Sequence, residues 1–188
     1  MARPIEYDKS EVLTKAMEIF WRQGYDSTSM KDLVEATGLT TRSMYNIFES
    51  KNGLFRASLE WYYDKTVKWR YDRLLEENGL EAIKNFMDVI AARRSRNGCL
   101  FVNTVSDRAN IEDSCLDIVE DYFYKLEHAF IEKLTYAKEH EGYEDDPILR
   151  AKQLVVVIKG LSVHSKDVKA LEENNRIVND FMDLMKIH

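Results

Sequence analysis

The sequence predicts an all-α fold of about nine helices, and three observations carry that expectation. Only seven Gly and two Pro occur in 188 residues, where average usage would be about 7% and 5%, and turn-rich β architectures need more of both. Gly24, Gly38, Gly79, Gly98 and Gly142 each follow a run of helical apolar spacing, at the position just past a helix end where a Cβ is costly. Apolar residues recur at steps of three and four, and no alternating strand pattern emerges. With 45% apolar and 32% charged residues, the chain can bury a core and stay soluble.

The elements follow in order. Asp8-Lys9-Ser10-Glu11 resembles a capping box and opens a helix with Val12, Leu13, Ala16, Met17 and Phe20 on one face. Ser29-Met30-Lys31-Asp32 caps a second helix carrying Leu33, Val34 and Ala36, and Thr40 caps a short third with Met44, Ile47 and Phe48. Ser50 caps a fourth, predicted to run unbroken from Lys51 to Asn78 on the steps Phe55, Leu59, Tyr62, Thr66 and Trp69. A fifth spans Leu80 to Arg96, a short sixth Cys99 to Asp107, and a long seventh Asp113 to His140. Pro147 behind Asp146 starts an eighth that reaches about Lys166. A ninth covers about Asn174 to Ile187, and the acidic stretch Glu141 to Asp146 reads as a solvated turn.

Composition excludes several classes. No apolar run approaches the ~18 residues of a membrane span, and Met1 to Glu6 shows no signal-peptide core. Two cysteines, Cys99 and Cys115, make no disulfide scaffold, so the chain reads as cytoplasmic and without a membrane partner. The net charge is −6, yet residues 1–56 hold eight basic and eight acidic side chains, so the acidity lies in the remainder. A neutral N-terminal module can therefore approach DNA while the rest stays in solvent. The signatures of zinc hydrolases, nucleotide-binding loops and serine hydrolases are missing, and the four histidines show no ligand spacing. Neither an enzyme nor a cofactor or metal is expected. A helical small-molecule-binding protein or enzyme without DNA activity is the remote alternative.

Residues 29–54 are the informative stretch. Two short helices flank Thr37-Gly38-Leu39-Thr40, where Gly38 allows the tight turn, Leu39 fills the space between the helices and Thr40 caps the second. This is a helix-turn-helix, whose second helix enters the major groove. Its face away from Met44 and Phe48 offers Thr41, Arg42, Ser43, Tyr45 and Asn46 to base edges and phosphates. Thr28, Ser29, Lys31, Thr40 and Lys51 are the further candidate DNA contacts, the capping hydroxyls and free N–H groups at helix starts suiting phosphate.

Residues 9–62 resemble the DNA-binding domain of the TetR/AcrR family of bacterial transcriptional regulators. The matching residues are Ala16, Phe20, Gly24-Tyr25, Thr28-Ser29-Met30, Leu33, Ala36, Gly38-Leu39-Thr40, Met44 to Phe48, Ser50-Lys51 and Leu54-Phe55. Asn46-Ile47 departs from the His-Tyr that many members carry, which bears on the operator sequence. The resemblance implies a helix-turn-helix domain over 1–50 and a helical ligand-binding and dimerisation domain over 51–188. It implies a homodimeric repressor that binds an inverted-repeat operator in double-stranded DNA and is released by a small-molecule inducer. The last two helices would pair with their mates. Leu154, Val157, Ile158, Gly160, Leu161, Phe181 and Met185 are the candidate interface, because the run 154–158 is apolar all round and Gly160 permits close approach.

Trp61, Tyr62, Phe86, Ile90, Phe101, Tyr122 and Phe123 are candidates for the ligand pocket, against the plainer reading that aromatics at helical spacing are core. Arg93-Arg94-Ser95-Arg96 could attract an anion or complement the negative end of its own helix. Gly98-Cys99-Leu100 resembles a segment of a family branch that includes cysteine-based electrophile sensors such as the N-ethylmaleimide-reductase repressor, and Lys166 also matches that branch. Cys99, in the first turn of its helix, is thus a candidate sensor thiol, with a small buried packing residue as the commoner role.

Overall fold

The computed structural model describes residues 7–93, 95–167 and 170–185. Its regular elements are all helical: α1 (Lys9–Gln23), α2 (Met30–Thr37), α3 (Thr41–Phe48), α4 (Lys51–Tyr62), a π-helical turn (Tyr63–Val67), α5 (Lys68–Glu76), α6 (Gly79–Ala91), α7 (Leu100–Ser106), a 3-10 turn (Arg108–Asn110), α8 (Asp113–His140), α9 (Pro147–His164) and α10 (Ala170–Leu184). Arg94 and the predicted helix end at Ile187 lie outside the described residues.

The predicted caps form. Asp8 Oδ1 accepts from the backbone N–H of Ser10 at 2.8 Å and of Glu11 at 3.4 Å. Ser29 and Asp32 make a reciprocal capping box, and Thr40, Ser50 and Asp146 cap α3, α4 and α9. Between α3 and α4 the chain turns so sharply that a Cβ at Gly53 would overlap the carbonyl oxygen of Phe48.

The fourth helix differs from the prediction. α4 and α5 form one rod, but the π-turn inserts a residue between them. The buried positions run Phe55, Leu59 and Tyr62, then step by five to Val67, Arg70 and Leu74. Trp69, expected inside, is half exposed, and Arg70 is inside in its place. α6 ends at Ala91, before the arginine cluster, which frees Arg93 to turn inward. Cys99 is the N-cap of α7 rather than a first-turn residue. The acidic stretch is docked as well as solvated: Glu141 accepts from Leu80 N at 3.0 Å, Asp145 pairs with Arg150 at 2.8 Å and Tyr143 is buried.

α8 is the central member of the C-terminal bundle, packing on α9, α6 and α4. Phe20 of α1 and Phe55 of α4 meet edge to face at 4.8 Å, with Tyr25 against Phe55 at 5.0 Å, and so join the N-terminal helices to the rod. Buried Lys133 donates to Leu75 O at 3.2 Å and Asn78 Oδ1 at 3.3 Å, placing its charge at the negative end of α5. No helix of the described residues is long and apolar enough to cross a membrane.

The candidate dimer face divides into buried and open residues within the protomer. Leu154, Ile158, Leu161 and Met185 are buried within the protomer, and Val157 and Phe181 are half-buried. Because 154–158 is apolar all round, sequence alone could not tell its inner from its outer face. The open stripe is Val156, Gly160 and Val163 on α9, beside Ile177, Phe181 and Leu184 on α10, each at steps of four and three.

Candidate nucleic-acid interface and ligand core

α2 and α3 are eight residues each and are held by what they bury. Leu33, Leu39 and Met44 are at most 4% exposed and close the angle between them. Gly38 takes a left-handed φ of 74°, ending α2 with its N–H bonded to Val34 O at 2.9 Å. Burial of Met44 and Phe48 turns the other side of α3 outward, and Thr41, Arg42, Tyr45 and Asn46 are all exposed there. None of those four side chains has a hydrogen-bond or ion-pair partner among the described residues, so their donors are available.

The supporting polar groups are less uniform than the sequence suggested. Thr28 is fully buried and donates Oγ1 to Gly24 O at 2.6 Å, so its hydroxyl is a structural strut and faces no phosphate. The Ser29 hydroxyl is shared with Asp32, whose carboxyl is held below the usual carboxylate range by Ser29's side-chain and backbone donors. Thr40 Oγ1 accepts from Ser43 N at 3.1 Å and lies 2.9 Å from Ser43 Oγ. Lys31 is exposed. The Lys51 ammonium sits 4.2 Å over the Tyr25 ring, where burial lowers its pKa and the nearby Asp26 carboxylate works against that.

The ligand-core candidates divide. Tyr62 and Phe101 are fully buried and stacked edge to face at 5.3 Å, with Phe101 a further 5.3 Å from Tyr122. Trp61 faces the N-terminal module, donating Nε1 to Thr14 Oγ1 at 3.0 Å. Phe123 lies under the Lys159 ammonium, and Ile90 is core. Tyr122 alone of the seven borders the roomy cleft, about 440 Å³, that Tyr63 and Asp64 of the π-turn form with Tyr71, Ile118 and Lys125. Phe86 borders a small crevice between α5 and α6. The sequence reading missed Tyr63, Tyr71 and Arg70, because the π-turn shifts the register that pointed elsewhere.

Cys99 is buried, and its Sγ accepts from Tyr62 Oη at 3.5 Å. Tyr62 Oη in turn accepts from Arg93 Nη2 at 2.6 Å. Burial, the neighbouring Cys99 and its hydrogen bond raise the Tyr62 pKa against the opposing pull of Arg93, so this phenol stays protonated. Cys115 donates to Asn52 O at 3.6 Å, and burial pushes its thiol up to about 11.

A capped helix-turn-helix with an open donor face, joined by a rod to a helical bundle, defines a DNA-binding regulator of transcription. Comparison with known proteins agrees. The profile described as "Bacterial regulatory proteins, tetR family" matches residues 12–58. The HTH-type transcriptional repressor ComR of Escherichia coli K12 is 27% identical over 97% of this chain and 90% of its own. Among solved structures, a cysteine variant of the TetR-family regulator CifR bound to 26-bp double-strand operator DNA superposes with a TM-score of 0.79 at 25% identity, covering 95% of this chain and 97% of that one. Reduced NemR of E. coli shares the fold, with a TM-score of 0.75 at 18% identity over 90% and 94% of the two chains. Residues 12–58 form a TetR-type DNA-binding domain, and along its length the chain is similar to DNA-binding transcriptional regulators of the TetR family.

Proposed function

We propose that the protein is a cytoplasmic homodimeric repressor that binds an inverted-repeat operator and is released by a small-molecule inducer. The observation that carries this reading is the rod α4–α5: its first turn packs directly under α3, and its second half lines the ligand core. A shift at the core end changes the spacing of two recognition helices across a dimer, which must match half-sites about 34–36 Å apart. An inducer acts by binding the mis-spaced arrangement more tightly, and by no more than that differential affinity. Arg42, Thr41 and Asn46 read bases, while Ser29, Lys31, Thr40, Ser43, Tyr45 and Lys51 hold or frame phosphates. The boundary between the DNA-binding and ligand-binding parts falls at residues 50 and 51, and the apolar stripe on α9 and α10 meets its mate. The complex that CifR forms with operator DNA supports the DNA partner. A gel shift on the DNA upstream of the protein's own gene tests the reading, with sedimentation of the free protein. Retardation of that fragment by a dimer is expected, and a monomer that ignores it overturns the reading.

A second reading has its own observation. The chain of donors from Arg93 through Tyr62 ends on the Cys99 sulfur, which suits a sensor thiol whose adduct supplies the inducing bias covalently. Cys99→Ser should then bind operator but resist release by thiol-reactive compounds. Normal release would leave Cys99 a packing residue.

A further inference from the structure

Arg70 is 7% exposed, and its Nε is buried without a hydrogen-bond partner among the described residues. A guanidinium is a poor core residue, since a buried charge is retained at a cost unless it is paired. The other deeply buried cation of the bundle, Lys133, shows what pairing looks like here: two oxygens at the end of α5 receive it. Arg70 has no oxygen partner of this kind among the described residues; its guanidinium carbon lies 5.7 Å from the Trp69 ring, and its Nε is left over. Its charged neighbour is Arg93, and burial followed by the repulsion of Arg93 pushes the Arg70 pKa down. Tyr62, Tyr122 and Cys99 are the other groups around it, and burial raises the pKa of both phenols, which keeps them neutral. The crevice that Arg70 lines between α5 and α6 holds one carboxylate, Glu77, which accepts from Asn85 at 2.8 Å and pairs with Arg73 at 3.4 Å. Buried Arg70 and half-buried Arg93 thus lie near one another with no carboxylate hydrogen-bonded to either among the described residues.

We infer that Arg70, backed by Arg93, is the anchor for the acidic head of an amphipathic carboxylate whose apolar body lies against Leu74, Phe86 and Val89. The inference rests on the effector-responsive reading above and specifies the chemistry of the effector. Guanidinium groups are suited to this task because their fork matches the two oxygens of a carboxylate. The crevice is closed to about 10 Å³, room for a single water, so a carboxylate enters only as α5 and α6 part. α5 is the far half of the rod that carries α3. Seating the head therefore favours a displaced rod, which is the differential affinity that release from DNA requires.

The test uses the full chain with sodium benzoate, and benzamide as its neutral isostere. Benzoate should raise the melting temperature saturably and weaken operator binding, while benzamide does neither. Arg70→Met replaces the cation by an apolar side chain of similar length. It should weaken the benzoate response at least roughly tenfold, because a charged hydrogen-bond donor is lost. It should also raise the melting temperature of the ligand-free chain by roughly 2–4 °C, as removal of an unpaired buried charge does. A merely structural Arg70 gives the opposite sign. A lower melting temperature for Arg70→Met overturns the proposal, as does a wild-type chain that answers benzoate and benzamide alike or ignores both. Operator binding without benzoate is scored separately: failure there sinks the repressor reading, and the melting comparisons still judge the anion site.

Discussion

Asn52 and Glu112 meet at 2.7 Å across sixty residues of sequence, Nδ2 donating to Oε1. The contact joins the first turn of α4 to the N-terminus of α8. Asn110 reinforces it by donating to Asp26 Oδ2 at 3.0 Å. Glu112 therefore fixes the near end of the rod against α8, while the Asn110–Asp26 bond ties the DNA-binding helices to the bundle apart from the rod. Glu112→Ala should lower stability by about 0.5–1.5 kcal/mol, the usual net worth of such a hydrogen bond. It should also loosen the coupling between inducer and operator while leaving operator affinity near wild type. Glu112→Gln keeps an acceptor and serves as control. Denaturant titration and inducer-dependent gel shifts together check this.

Arg42 and Lys31 should fail differently. Arg42→Ala should cost about 1–3 kcal/mol and relax specificity at one position per half-site. Lys31→Ala should weaken all sequences alike and reduce the salt slope by about one. Operator titrations at several salt concentrations, on native and scrambled half-sites, separate the two behaviours.

The outer stripe on α9 and α10 predicts a split between assembly and stability. Val163→Asp places a charge on the open face and should give folded monomers with poor operator affinity. Leu154→Ala removes a fully buried side chain and should cost about 2–5 kcal/mol of protomer stability with sedimentation unchanged. If Val163→Asp stays dimeric, the stripe is not the interface.

Alkaline pH should loosen the fold through Cys115. Its folded pKa is raised from 9.0 to about 11 by burial. A raised folded pKa means stability that is complete below pH 9 and lost progressively as pH climbs to 11, where the unfolded thiol ionises and the folded one does not. Cys115→Ala should flatten that part of the stability profile. At pH 7.5 the same burial should keep Cys115 slow toward maleimides.

Much of the fold was legible because local chemistry and tertiary structure agree. The Ser29–Asp32 box, the Gly38 turn and the Leu39 plug are all short-range signals, and each sits where the chain needs it. What was illegible depends on distant partners. Thr28 looks like a phosphate ligand until its hydroxyl is found bonded to Gly24 O. Leu154 and Val156 read alike, yet one is sealed against the protomer's core and the other is two-thirds exposed. Arg70 was invisible because its inward turn follows from an inserted residue, which periodicity registers only as noise.

That inserted residue makes the rod two helices of different phase coupled by a length of slack. Each half keeps its own seam on the core, and the surplus lies in Tyr63 to Val67. An unbroken α-helix keeps one register along its length, whereas a π-turn is where a second register begins and where a helix can bend. Excising Lys65 would bring both seams into one continuous register, so the chain should fold and grip DNA. What it would give up is the slack between them: a twist imposed at the bundle end would reach α3 undiminished.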